Sequence, residues 1–191
     1  MISRIDHVAV AVRDYPAARA FFEKVLGAIP CAMARDDRMK YVWQTFALGD
    51  LSRIELLYAT EAGSFLDSFL ADRQGGVHHI TMQTPDIEAA KKALEAAGIP
   101  YFGYNEYPDA YWKELFIHPR HAFGVLIQIA EFEADEWLAP EVTMPRGSGW
   151  ELTRTDTGCT LKMAHPGGGI VEKHLDRDQI DDLIRQLSAM K

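Results

Sequence analysis

The sequence predicts an α+β fold: two copies of one strand–helix–three-strand (βαβββ) unit, then a β-hairpin and a helix. Three observations predict it. Asp6-His7-Val8-Ala9-Val10 recurs 72 residues on as His78-His79-Ile80-Thr81-Met82. Seven residues after each His stands an Asp, Asp14 or Asp86, which opens an Ala-rich stretch of helical periodicity. Each stretch closes on a glycine, Gly27 or Gly98, and Ile29-Pro30 or Ile99-Pro100 follows. A period of this length is too long for a solenoid repeat and fits a duplicated half-domain.

The elements follow in order. Residues 4–12 are rich in Val and Ile and alternate, as a strand does; alternation puts Ile5, Ala9 and Ala11 on the face of His7. Asp14 is a helix cap and Pro16 fits the first turn. Ala18, Phe21, Phe22 and Val25 fall at i, i+3, i+4 and i+7 and make one apolar face. Gly27 stops the helix. Strands are expected near 30–36, 40–48 and 52–58. Residues 63–73 read as a short amphipathic helix, with Phe65, Phe69 and Leu70 on one side, ended by Gly75-Gly76. The second copy runs through a strand at 77–84 and the cap Asp86. A helix with Ala90, Ala93, Leu94 and Ala97 on one face follows. Strands near 100–104, 111–118 and 124–131 complete it.

The character then changes. Residues 133–148 hold Pro140, Pro145 and Gly147 among acids and read as a connection. Residues 150–155 and 160–164 form a hairpin around Asp156-Thr157-Gly158. His165-Pro166-Gly167-Gly168-Gly169 reads as a flexible turn. Asp176, with Gln179 three residues on, is a capping box for a last helix striped by Ile180, Leu183, Ile184 and Leu187. The expected division is a 1–132 domain of two repeats, 4–60 and 77–132, with a 133–191 extension packed on that body or on a second subunit.

Charge and cysteines narrow the function. A formal net charge of −8 disfavours nucleic acid, whose phosphates need clustered Lys and Arg. Cys31 and Cys159 are in no metal-binding spacing and read as free thiols. No run has membrane-spanning length and the start has no apolar signal region, so a cytoplasmic protein without membrane contact is expected.

The duplication carries a candidate metal site. Glu55 lies 48 residues after His7, and Gln128 lies 49 after His79. Glu55 interrupts the apolar run Ile54-Leu56-Leu57, and Gln128 interrupts Leu126-Ile127-Ile129. Burying an ionised carboxylate there costs several kcal/mol unless a cation or donor meets it. One His or one Glu on a strand is ordinary; the equivalent placement in both copies is what points to a metal. Two His, one Glu and one Gln suit a borderline divalent ion, with water or substrate in the remaining positions.

These residues, with the duplicated pattern, resemble the vicinal-oxygen-chelate superfamily, which includes glyoxalase I, extradiol dioxygenases, bleomycin-resistance proteins and methylmalonyl-CoA epimerase. The epimerase branch is similar in detail. Phe65-Leu66-Asp67-Ser68-Phe69-Leu70 through Gly75-Gly76-Val77-His78-His79-Ile80 resembles its linking helix and Gly-x-His-His-Ile strand. Phe116-Ile117-His118-Pro119 and Gly124-Val125-Leu126-Ile127-Gln128 resemble its Phe-Leu-His-Pro and Gly-Val-Leu-x-Glu segments. The resemblance covers about residues 4–132. It implies a curved open sheet around a metal held by His7, Glu55, His79 and Gln128, the ion being Co, Mn, Ni, Zn or Fe. It implies a small substrate with adjacent oxygens, such as a thioester or 2-oxoacid, and a homodimer.

One departure matters. The family usually places an acid where Gln128 stands, often the catalytic base, and Gln cannot take a proton. Glu55 is then the candidate base, and Asp36, Asp37 and Glu114 are candidates for a second group. The expected activity is that of a metal-dependent isomerase or lyase of the epimerase or glyoxalase I type. An Fe(II) dioxygenase using two His and one carboxylate is a second reading. A ligand-sequestering protein without chemistry is a third. Outside the cluster, His78 turns by alternation to the opposite face of its strand and reads as structural or exposed. His118 reads as structural and His174 as a surface residue, while Arg120 and His121 are candidates to meet an anionic substrate tail.

Overall fold

A computed structural model describes residues 2–49 and 51–190. The first unit is β1 (Arg4–Val12), α1 (Tyr15–Ala20), β2 (Ile29–Asp36), β3 (Tyr41–Ala47) and β4 (Arg53–Ala59). A linking helix α2 (Leu66–Leu70) leads to the second: β5 (Gly75–Gln83), α3 (Ile87–Ala96), β6 (Phe102–Tyr107), β7 (Trp112–Ile117) and β8 (Ile127–Phe132). The eight strands form one sheet in the order β2-β3-β4-β1-β5-β8-β7-β6. The two units meet where β1 and β5 pair antiparallel. The duplication predicts the two paired units, and the curled open sheet is the one the resemblance implies.

The two units start alike. The Asp14 carboxylate accepts from Ala17 N–H at 3.0 Å, and Asp86 from Ala89 N–H at 2.9 Å. Gly27 (φ +70°) and Gly98 (φ +66°) each take the left-handed conformation after their helix, which glycine adopts without a Cβ penalty. Tyr15, Ala18 and Phe22 pack on Val12, Phe46 and Leu56. Ile87 and Ala90 pack on Leu115, Ile117 and Ile129. Ala9, Ala11 and Leu57 make a separate cluster covered by Leu66 and Leu70 of α2.

Several expectations are corrected. The first helix changes after Ala20 to a π-helical turn, Phe21–Val25, whose wider winding breaks the i, i+3, i+4, i+7 face. Phe22 stays packed while Phe21 and Val25 point outward. The linking helix is shorter than residues 63–73, and Gly75-Gly76 begins β5 rather than ending the helix. A Cβ on Gly75 would stand 2.9 Å from the Ala11 carbonyl oxygen, so this close pairing needs glycine. Ile5 does not share the buried face of His7; it is exposed, because the register with β5 shifts between them.

The extension adds a second sheet, β9 (Trp150–Arg154), β10 (Gly158–Ala164) and β11 (Ile170–Asp176), and the helix α4 (Arg177–Ser188). The capping box is present: Asp176 accepts from Gln179 N–H and Gln179 from Asp176 N–H. The strand β11 was not expected, and residues 165–169 are not a loose turn. They form a buried glycine turn joining β10 to β11, with His165 N–H donating to Gly169 O at 3.0 Å. The stripe on α4 is exposed at Ile184 and Leu187. No helix of the described residues is long and apolar enough to cross a membrane.

Candidate metal centre

Four adjacent strands each carry one candidate ligand: Glu55 on β4, His7 on β1, His79 on β5 and Gln128 on β8. Register aligns them in two rows. Ala9 pairs with Glu55 on one side and His79 on the other. Thr81 pairs with His7 on one side and Gln128 on the other. All four candidates are buried.

The rows differ in one side chain. The Thr81 hydroxyl donates to Gln128 Oε1 at 2.5 Å and lies 2.8 Å from His7 Nε2. Ala9 offers nothing equivalent. His79 Nε2 is buried without a hydrogen-bond partner. It stands 3.7 Å from Glu55 Oε2, and His7 Nε2 stands 3.8 Å from the same oxygen. One donor atom from each of His7, Glu55 and His79 lies within 4.8 Å of the others. The separations of 3.7 and 3.8 Å from Glu55 Oε2 are below twice a metal–donor bond of about 2.1 Å, so one ion fits between the carboxylate and the imidazoles. A buried, orphaned imidazole nitrogen is costly in a finished protein and is what a metal site presents before loading. The donor set therefore fits a divalent cation.

Each imidazole is oriented by the residue before it. The β1–β5 register shifts between Ile5 and His7, which makes Asp6 the extra residue of one bulge. It shifts again between Ala9 and Val10, where His78 is the extra residue. Asp6 and His78 are equivalent in the two units, and each bulge turns its residue onto the neighbouring ring. Asp6 Oδ2 lies 2.8 Å from His7 Nδ1, and His78 Nδ1 lies 2.9 Å from His79 Nδ1. The expectation that alternation sends His78 to the opposite face fails for this reason. Its ring is half-buried, 5.5 Å from Phe65 and 5.0 Å from Phe69. Metal-binding histidines are commonly held this way through their other nitrogen.

The electrostatics follow from burial and these neighbours. Burial raises the Glu55 carboxyl; His7 pulls it down, Glu114 and Asp6 push it up, and it comes to about 7. Burial lowers His7, but Glu55 and the Asp6 hydrogen bond outweigh it, so His7 holds its proton more tightly than a free imidazole. Burial, then the positive fields of His7 and His78, carry His79 well below the usual range, against a smaller upward pull from the nearby Gln128 amide. Burial raises Asp6, but His7, Arg53 and Arg4 together bring it below the ordinary carboxylate value. Burial and the Glu55 and Glu114 carboxylates push Tyr41 up, so it stays a neutral phenol.

Of the three acids considered for a second group, Glu114 meets the candidate set: Gln128 Nε2 donates to its Oε2 at 2.6 Å. Trp112 Nε1 donates to the same oxygen at 2.9 Å, and Asn105 Nδ2 to Oε1 at 3.2 Å. Asp36 accepts from Met39 N–H in the β2–β3 turn. Asp37 pairs with Arg35 at the surface. His118 caps a short turn, accepting from Arg120 N–H at 3.2 Å, as a structural residue would. His174 is at the surface and Arg120 and His121 are exposed. The partners of Asp6 and the role of Thr81 carried no sequence signal beyond Asp6 preceding His7.

Comparison with known proteins gives a consistent picture. A family model described as the Glyoxalase/Bleomycin resistance protein/Dioxygenase superfamily matches residues 6–116. The ethylmalonyl-CoA/methylmalonyl-CoA epimerase of Cereibacter sphaeroides is 36% identical over 134 residues, 69% of this chain and 99% of that one. The mitochondrial methylmalonyl-CoA epimerase of Bos taurus is 31% identical, over 68% of this chain and 75% of that one. The crystal structure of methylmalonyl-CoA epimerase from Mycobacterium tuberculosis superposes with a TM-score of 0.63 at 26% identity, over 69% of this chain and 89% of that one.

Proposed function

Because the chain belongs to the glyoxalase/bleomycin resistance protein/dioxygenase superfamily, we propose that it is a metal-dependent epimerase acting on a methylmalonyl-CoA-type thioester. The proton moved is the one on the carbon between the carboxylate and the thioester. The observation that carries the reading is the unpartnered His79 Nε2, buried against Glu55 in a chain whose relatives are named for this reaction.

A divalent cation held by His7, Glu55 and His79, with Gln128 beside them, would supply Lewis-acid stabilisation of the charge that develops on the substrate oxygens. The proton itself needs carriers on two faces of the carbon. Glu55 is one, the carboxylate of the His7, Glu55 and His79 cluster itself. Glu114 is the other, held by Gln128, Trp112 and Asn105. One carboxylate takes the proton while the C–H electron pair moves onto the thioester carbonyl. The other begins as the carboxylic acid and gives its proton to the opposite face as the electron pair comes back to carbon, so the pair ends with one proton between them as it began.

The test is exchange of the C2 proton of methylmalonyl-CoA in heavy water, followed by mass spectrometry, with the protein loaded with Co2+. Exchange and interconversion of the epimers are expected in the parent. Loss of both metal and exchange is expected in His79→Ala. Glu114→Gln is expected to bind metal normally and interconvert the epimers at least 100-fold more slowly, the usual scale for losing a general acid–base. A fully metal-loaded parent that exchanges no C2 proton overturns the assignment.

A further inference from the structure

The extension touches the metal centre through a chain of buried contacts. The turn at 165–169 presents the carbonyl oxygens of Gly167 and Gly168 to Arg53, whose Nη2 donates to them at 3.1 and 3.4 Å. Arg53 Nη1 donates to Asp6 Oδ1, as does Arg4 Nη2. Asp6 Oδ2 faces His7 Nδ1 at 2.8 Å. Arg53, Asp6 and His7 are exposed by only 6%, 5% and 3%, so water does not substitute for these partners.

The turn is built for this approach. Gly169 N–H donates to Asp135 Oδ1 at 2.8 Å, and Gly167 N–H to His165 Nδ1 at 2.9 Å. A Cβ on Gly167 would stand 2.8 Å from Arg4 Cδ, Nε and Nη1. A Cβ on Gly168 would stand 2.6 Å from Ala134 Cβ, and its φ of +79° is one that side-chain-bearing residues rarely adopt. Glycine lets the backbone lie directly on both arginines.

We propose that the glycine turn of the extension is a positioning element of the metal centre, fixing the His7 imidazole through Arg53 and Asp6. A guanidinium gripped on one side by two carbonyls and on the other by a carboxylate has one orientation. The carboxylate so fixed holds the proton on His7 Nδ1 and turns Nε2 toward Glu55. Arg53 is thus a positioning residue, acting on the ligand from outside the donor set. The inference rests on His7 being a ligand and is independent of which substrate the centre serves.

The experiment uses the full chain and two variants, Arg53→Lys, which keeps the charge but loses the fork, and Gly168→Ala, which pushes the turn off Arg53. Two readouts are taken: Co2+ affinity from the visible ligand-field absorption, and the imidazole 1H and 15N signals of His7 in metal-free protein. A proton held on Nδ1 by Asp6 gives a downfield, slowly exchanging resonance. Expected are a parent that shows this resonance, variants that lose it, and Co2+ binding weakened at least tenfold, the scale typical of outer partners of metal ligands. A general loss of stability does not move that resonance in the protein that remains folded. If Gly168→Ala does not fold, Arg53→Lys decides. If the parent binds no Co2+, the metal reading fails and this proposal with it; a parent that binds Co2+ leaves the variants to decide the positioning role. Variants with an unchanged His7 resonance overturn the proposal.

Discussion

Ala9 occupies in the first unit the place that Thr81 occupies in the second, and the two treat their neighbours oppositely. Each sits in a row between an imidazole on the facing strand and a donor side chain on the other side. Thr81 contacts both, at 2.8 and 2.5 Å. Ala9 can hydrogen-bond to neither, and His79 Nε2 stands unpartnered beside Glu55. The hydroxyl that Thr81 has and Ala9 lacks is the difference between a satisfied polar row and one with an unpartnered imidazole nitrogen.

Ala9→Ser tests that difference directly. The added hydroxyl reaches toward His79 Nε2 and Glu55 as Thr81 reaches toward His7 and Gln128. The metal-free variant is expected to be more stable than the parent by about 1 kcal/mol, the net worth of a buried hydrogen bond. Its Co2+ affinity is expected to fall at least tenfold, because the hydroxyl competes for the lone pairs the ion needs. Urea unfolding without metal and a Co2+ titration measure the two effects. Unchanged affinity together with unchanged stability removes Ala9 from the account.

Glu55→Gln separates the cost of the buried carboxylate from its use. A carboxyl raised from 4.5 to about 7 in the folded chain gives up its proton more readily when unfolded. Its penalty is therefore absent below pH 4.5, grows between pH 4.5 and 7, and is complete above 7. At about 1.4 kcal/mol per pH unit the full penalty is on the order of 3 kcal/mol. Metal-free Glu55→Gln is expected to gain on the parent as the pH rises from 4.5 to 8, and to bind Co2+ poorly throughout. Unfolding curves at pH 5 and 8 measure this; a constant difference between the two proteins contradicts it.

The duplication was legible because each unit repeats signals with a local physical cause. The caps Asp14 and Asp86 and the stops Gly27 and Gly98 act within their own turns, so they show in the sequence wherever they occur. The candidate residues stood out because Glu55 and Gln128 interrupt apolar runs, and the structure places both buried, on β4 and β8 of the two units. The bulges at Asp6 and His78 were not, since a bulge adds a residue without changing composition. The strand β11 was hidden by its polar Glu172-Lys173-His174 run, which faces solvent on a small sheet. The grip of Gly167 on Arg53 spans 114 positions, and no local pattern announces a contact made by a backbone carbonyl.

Proton release on metal binding follows from the same electrostatics. In the metal-free chain Glu55 holds a proton up to about pH 7, and His7 holds one more tightly than a free imidazole. An ion needs both groups deprotonated on the side it occupies, so near neutrality it must displace at least one proton. The sign is fixed: affinity rises with pH through the region where these groups titrate and levels off above it, and acid drives the metal out. Below pH 7 each unit of pH is expected to weaken Co2+ binding by up to tenfold per proton displaced. Calorimetry at pH 7 in two buffers of different ionisation enthalpy counts the protons. A heat of binding that is the same in both buffers, with affinity flat from pH 6 to 8, means that Glu55 and His7 do not hold the ion.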